Sequence, residues 1–179
     1  MPFRGHEMRR RKSYEVASMV PGHIVLLLSG LPATGKSEFG RYLAREHGFA
    51  HYDLECYPRG WPHPELMGVW GSDRKAFVRQ IRQNHDRVVL DWGFPVRCLS
   101  WVKQLQDQDV HLIWSNGDVN RAREKFVQRG GIEGSQFDKQ IREIQQAGYP
   151  DSLKCLVVPA LSASGEFMDW HQIERFVFL

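Results

Sequence analysis

The most specific chemical pattern in the chain is the run Gly30-Leu31-Pro32-Ala33-Thr34-Gly35-Lys36-Ser37, a GxxxxGKS motif. Its glycines let the backbone turn so tightly that successive N–H groups face one anion, and a helix starting at its end adds a positive terminus. A lysine at position 36 reaches the β- and γ-phosphates of a bound nucleotide, and a hydroxyl at Ser37 is placed to hold Mg²⁺ against the same oxygens. The plain alternative is a glycine turn that merely precedes a helix.

Several acids stand where such a loop needs them. Asp53 and Glu55 have alternate spacing, which sends both side chains to one side if a strand continues through them. Asp53 is the candidate to orient an acceptor hydroxyl and take its proton late in a transfer. Asp91 ends the apolar run Val88-Val89-Leu90 and suits Mg²⁺ or its waters, while Gly93 lets the backbone approach a substrate or simply turns it. A solvated turn acid is the competing reading for Asp53 and Glu55.

Basic residues form a second group. Arg121, Lys125 and Arg129 fall on one helical face, with Arg123 off that stripe. Arg121 and Arg129 are candidates to neutralise charge on a transferring phosphoryl group, with Gly130, Gly131 and Gly134 as a hinge; a solvated charged face is the alternative. Arg59, Trp61, Trp70 and Arg97 are candidates to shape an acceptor pocket, with packing as the default role. His47, His51 and His63 lack a zinc-ligand spacing, and no GxSxG nucleophile turn occurs.

The elements that must position these groups are short branched-aliphatic runs alternating with amphipathic stretches, the pattern of βα units around a parallel sheet. Strands are expected at His23–Leu28, Phe49–Tyr52, Arg87–Leu90, Val110–Trp114 and Cys155–Val158. Helices are expected over Lys36–His47, from a cap at Ser72 or Asp73 to Asn84, from Pro95 to Asp107, from Asp118 to Arg129, over Ser135–Ala147 and over Glu166–Phe176. Ligands of open α/β sheets sit beyond the carboxyl ends of the strands, where Asp53 and Asp91 stand.

On these residues the chain resembles the P-loop kinases of the shikimate, gluconate and adenylate kinase type, a group that includes antibiotic phosphotransferases and polynucleotide kinases. The resemblance spans about residues 22–165, and only the phosphate loop is highly specific. It implies a three-layer α/β fold with a five-stranded parallel sheet in the order 2-3-1-4-5 and a helical lid at about residues 119–148. It further implies ATP and Mg²⁺ as cofactors and a small-molecule hydroxyl acceptor. Asp53 and Glu55 are similar to the paired acids after the second strand of shikimate and gluconate kinases, with Glu55 where those kinases usually have Asp. Pro159-Ala160-Leu161-Ser162 lies where adenylate-kinase-like proteins pass near the adenine ring.

Bulk properties fit one domain over residues 21–179. The chain has 179 residues, 42% hydrophobic and 25% charged, which suffices for a full core. A formal charge of +3 suits an anionic ligand without demanding nucleic acid, and residues 1–20, with Arg9, Arg10, Arg11 and Lys12, read as a solvated basic arm. Nucleic acid is therefore a possible but unfavoured partner. Cys56, Cys98 and Cys155 read as reduced thiols of a cytoplasmic protein, and no run is long enough to span a membrane. A GTPase is disfavoured because NKxD and DxxG are missing; a polynucleotide-end or nucleotide-sugar kinase, or a nucleotide-binding regulator without turnover, remains open.

Overall fold

The computed structural model describes residues 23–55, 60–130 and 133–178. The basic arm, Cys56, Arg59 and Gly131 lie outside the described residues. The five apolar runs become β1 (Ile24–Gly30), β2 (Ala50–Asp53), β3 (Arg87–Asp91), β4 (Val110–Gly117) and β5 (Leu156–Leu161). Among the described residues they make one parallel sheet in the order β2-β3-β1-β4-β5.

Each strand runs one to three residues further than its apolar stretch, because main-chain pairing carries polar residues along. Gly30 pairs with Ser115, Asp53 with Asp91 and Gly117 with Leu161. Pro159 is accommodated in β5 because that strand lies at the sheet edge. The polar strand ends form the carboxyl rim of the sheet.

The helices are α1 (Lys36–His47), α2 (Met67–Ser72), α3 (Arg74–Asn84), α4 (Leu99–Gln106), α5 (Val119–Gln128), α6 (Gly134–Gln146) and α7 (Trp170–Phe178). Asp73 caps α3 by accepting from Ala76 N at 2.9 Å, and Asp118 caps α5 by accepting from Arg121 N at 2.9 Å. Ser72 does not cap α3: it closes α2, a short helix that its own glycines, Gly68 and Gly71, disguise. Pro95 precedes a 3₁₀ turn, Val96–Cys98, before α4 begins. The last helix starts later than Glu166 because Phe167 forms a bridge with Leu161.

Alternation along the central strands fills both faces of the sheet. Val25 and Leu27 face a core shared with Phe77, Val78, Ile81, Val102 and Phe137, under α3, α4 and α6. Leu26 and Leu28 face Phe39, Leu43, Ile173 and Val177, under α1 and α7. Full burial of each such aliphatic side chain contributes roughly 1.5–3 kcal/mol of transfer free energy. Trp61 and Trp70 belong to the first core, at 4% and 5% exposure, and do not line the cavity described below. Trp61 Nε1 donates to Asp53 O, and the Arg74 guanidinium sits 3.5 Å from the Trp101 ring centre beside Trp70.

Candidate active site

The phosphate loop joins the buried end of β1 to the first turn of α1. Gly30 has φ 129°, and a Cβ there would overlap the Ser115 carbonyl, so the crossing of β1 and β4 admits only glycine. Ala33 and Gly35 also take positive φ, at 58° and 82°. Leu31 N donates to Ser115 O at 3.0 Å, the Thr34 hydroxyl to Leu31 O at 2.8 Å, and the Ser115 hydroxyl to Thr34 O at 3.3 Å. The loop is thus pinned to β4 and shaped before any ligand enters.

Lys36 Nζ donates to Leu31 O at 2.9 Å, across the loop from which it arises. Burial pushes its ammonium below the ordinary 10.5, Glu55 and Asp91 oppose that shift, and Arg129 adds to it. An anion in the loop would supply the counter-charge that burial withholds. Ser37 lies in the same first turn of α1, partly exposed.

The acids divide. Asp53 Oδ1 accepts the Glu55 N–H at 3.0 Å, which ties Asp53 into the turn after β2. Glu55 reaches out of that turn, and its Oε1 accepts the Gly93 N–H at 2.5 Å. Gly93 is exposed beside Glu55: a Cβ there would overlap Glu55 Oε1 and lie in ordinary contact, 3.9 Å, with Lys36 Cε. Asp91 is 2% exposed, and its Oδ2 is buried without a hydrogen-bond partner. A buried carboxylate whose charge is felt at Lys36, together with the Ser37 hydroxyl at the start of α1, fits Mg²⁺, which binds through one or two protein oxygens, phosphates and waters.

The stripe on α5 is shared between two neighbours. Arg121 donates to Ala163 O at 3.0 Å and to Glu124 at 2.8 Å, and Lys125 Nζ lies 4.6 Å from the Phe167 ring centre. Both therefore face the turn after β5. Phe167 and Trp170 in turn flank Gly35, where a Cβ would come within 3.3 and 3.1 Å of their rings. Arg129, the residue closing α5, lines the cavity instead. Arg123, off the stripe, pairs with Asp138 of α6 at 2.8 Å, and Phe126 packs on Phe137.

Beyond the loop opens a cavity of about 510 Å³ whose wall includes Gly30, Glu55, Trp92, Gly93, Arg97 and Arg129. Lys139, Gln140 and Glu143 of α6 close its far side. Of the residues singled out in the sequence, Gly30, Pro32, Ala33, Glu55, Gly93, Arg97 and Arg129 come together here, whereas Arg121 does not. The sequence offered no linear signal for Lys139, Glu143 or Phe167. Ser115 was findable as the residue just past an apolar strand run.

No protein-family model matches the chain, and no curated protein sequence does. Solved structures match in fold. A shikimate kinase from Bacteroides thetaiotaomicron is 19% identical over 86% of this chain and 94% of its own, with a TM-score of 0.53. A gluconokinase from Sinorhizobium meliloti is 16% identical over 88% and 90%, with a TM-score of 0.53. A sugar kinase from a Janibacter species is 14% identical over 86% and 91%, with a TM-score of 0.59. The strand order, the loop at the end of β1 and these neighbours together identify the fold as that of the P-loop kinases of the shikimate and gluconate kinase-like group.

Proposed function

We propose that the protein transfers the γ-phosphoryl group of ATP, with Mg²⁺, to a hydroxyl of a small-molecule acceptor. The observation that carries this reading is the opening of the phosphate loop onto a cavity that presents a carboxylate, Glu55, and a cation, Arg129, on the same side as Lys36. Main-chain N–H groups from Ala33 to Ser37 and the Lys36 ammonium would hold the nucleotide phosphates. Ser37 and Asp91 would hold the magnesium, which supplies charge neutralisation at the phosphates when bound.

The acceptor oxygen bonds to the γ-phosphorus as the bond from that phosphorus to the bridging oxygen breaks, and ADP leaves. The hydroxyl proton goes to a carboxylate. Glu55 is the better placed of the two acids, since it lines the cavity, held there through Oε1 by the Gly93 N–H, whereas Asp53 is not among the lining residues. Asp53 would then act by fixing the turn that aims Glu55. Arg129 would meet charge on the transferring group, and Arg121, beside Ala163, would serve the nucleotide side. The helical pair α5–α6 would act as a lid that excludes water.

The acceptor itself should carry an anionic group. Among the described residues, the cations Arg97, Arg129 and Lys139 line the cavity against the acids Glu55 and Glu143. The test is Mg²⁺-dependent ADP release from ATP across hydroxylated acids, phosphorylated sugars, neutral sugars, nucleosides and oligonucleotide ends. Stimulation by an anionic acceptor supports the reading; stimulation by neutral sugars alone removes the charge argument. GTP preferred to ATP, or tight ATP binding with no acceptor effect across the panel, moves the reading to a switch or a regulator.

A further inference from the structure

Two buried polar atoms face each other beside β3 with no hydrogen-bond partner on either: His51 Nε2 and Asp91 Oδ2, 3.9 Å apart. The sheet brings them together. His51 pairs in register with Val89 and Asp53 with Asp91, so His51 is the diagonal neighbour of Asp91 on the face covered by α1. The imidazole has room because α1 carries glycine opposite it: a Cβ at Gly40 would lie 2.7 Å from His51 Nε2.

Leaving a buried polar group unpaired is costly, and here two such groups stand side by side. At 3.9 Å the pair is just beyond a hydrogen bond, so a small rotation of either side chain closes it. Two cations of α1, Lys36 and Arg41, feel the charge of Asp91, and neither supplies a hydrogen bond to Oδ2. Among the described residues, the donor beside Oδ2 is His51 Nε2, at 3.9 Å.

We propose, resting on the reading that Asp91 serves magnesium, that His51 is the positioning residue for that carboxylate. Its Nε2–H holds Oδ2, and the other oxygen of Asp91 is left to the cation beside Ser37. Donors behind a metal-binding group typically change metal affinity by about 10–100-fold when removed. Gly40 is part of the same device, because it lets the ring lie flat against α1.

The experiment measures the Mg²⁺ concentration that half-saturates tight ATP binding, alongside ATP binding without metal and the melting temperature. His51→Leu is expected to raise the Mg²⁺ requirement about tenfold while leaving metal-free ATP binding near wild type. His51→Gln, which can place an N–H close to the Nε2 position, is expected to recover most of that loss. Gly40→Ala, which displaces the ring without removing it, is expected to raise the requirement as His51→Leu does, and it carries the test should His51→Leu not fold.

An unchanged Mg²⁺ requirement in His51→Leu, or an equal loss in His51→Gln and His51→Leu, overturns the proposal in favour of packing. Asp91→Asn separates the two levels. A normal Mg²⁺ requirement in Asp91→Asn sinks the magnesium reading itself and the proposal with it. A raised requirement there, with His51→Leu like wild type, sinks the proposal alone.

Discussion

Gly93 N–H donates to Glu55 Oε1 at 2.5 Å, joining the turn after β3 to the turn after β2 across the mouth of the phosphate loop. The contact fixes the carboxylate that lines the cavity, and it depends on position 93 having no side chain.

Gly93→Ala should therefore damage turnover more than stability. The new Cβ pushes Glu55 out of place. We expect acceptor-dependent kcat/KM to fall at least tenfold, about 1.4 kcal/mol of transition-state stabilisation, with Tm nearly unchanged. Steady-state kinetics beside a melting curve checks it; a Tm loss as large as that of a core variant would make Gly93 a packing residue.

Gly30→Ala should do the reverse. A left-handed φ costs a non-glycine residue about 1–3 kcal/mol, and the overlap with the main-chain carbonyl of Ser115 cannot be relieved by a side-chain rotation. The expected outcome is a lower urea midpoint together with loss of ATP binding, because the hydrogen bond from Leu31 N to Ser115 O is broken by the same displacement. Unfolding and equilibrium binding measured on one preparation decide it.

Acid should loosen α7 before it unfolds the sheet. Glu174 accepts from the Tyr42 hydroxyl at 2.8 Å and lies 3.1 Å from His47 Nε2. The Tyr42 bond is the main reason its carboxyl sits below the ordinary 4.5, with His47 assisting. A depressed carboxyl contributes stability that is fully present above pH 4.5 and lost as pH falls through the lower folded value. Amide exchange in α7 should rise below about pH 4.5, and Glu174→Gln should flatten that dependence. Exchange that is independent of pH in the wild type would contradict it.

The order of elements was legible because the sheet is buried on both faces, so β1, β3, β4 and β5 announce themselves as branched-aliphatic runs, while β2 shows as a short stretch around Phe49 and Tyr52. The strand ends were not, since Ser115, Asn116 and Gly117 are held in β4 by pairing with β5 and not by their own propensity. Helix α2 escaped notice because Gly68 and Gly71 obscure a segment that Trp70 anchors by burial. The phosphate loop was legible as a contiguous motif. The cavity was not, because Glu55, Arg97, Arg129 and Lys139 meet from four separate stretches of chain. The stripe Arg121–Lys125–Arg129 was seen as one face, yet the turn after β5 takes up the first two and leaves only Arg129 to the cavity.

The most direct test of phosphoryl transfer is a single-turnover measurement of γ-phosphate moving from ATP to the acceptor found by the panel, with Lys36→Ala as the comparison. Lys36 combines the loop position and the buried charge, so its removal should slow transfer by 100-fold or more, about 2.7 kcal/mol, while the variant stays folded. Transfer by Lys36→Ala at the wild-type rate, or bound ATP that never yields a phosphorylated acceptor in the wild type, would contradict the assignment of this loop to catalysis.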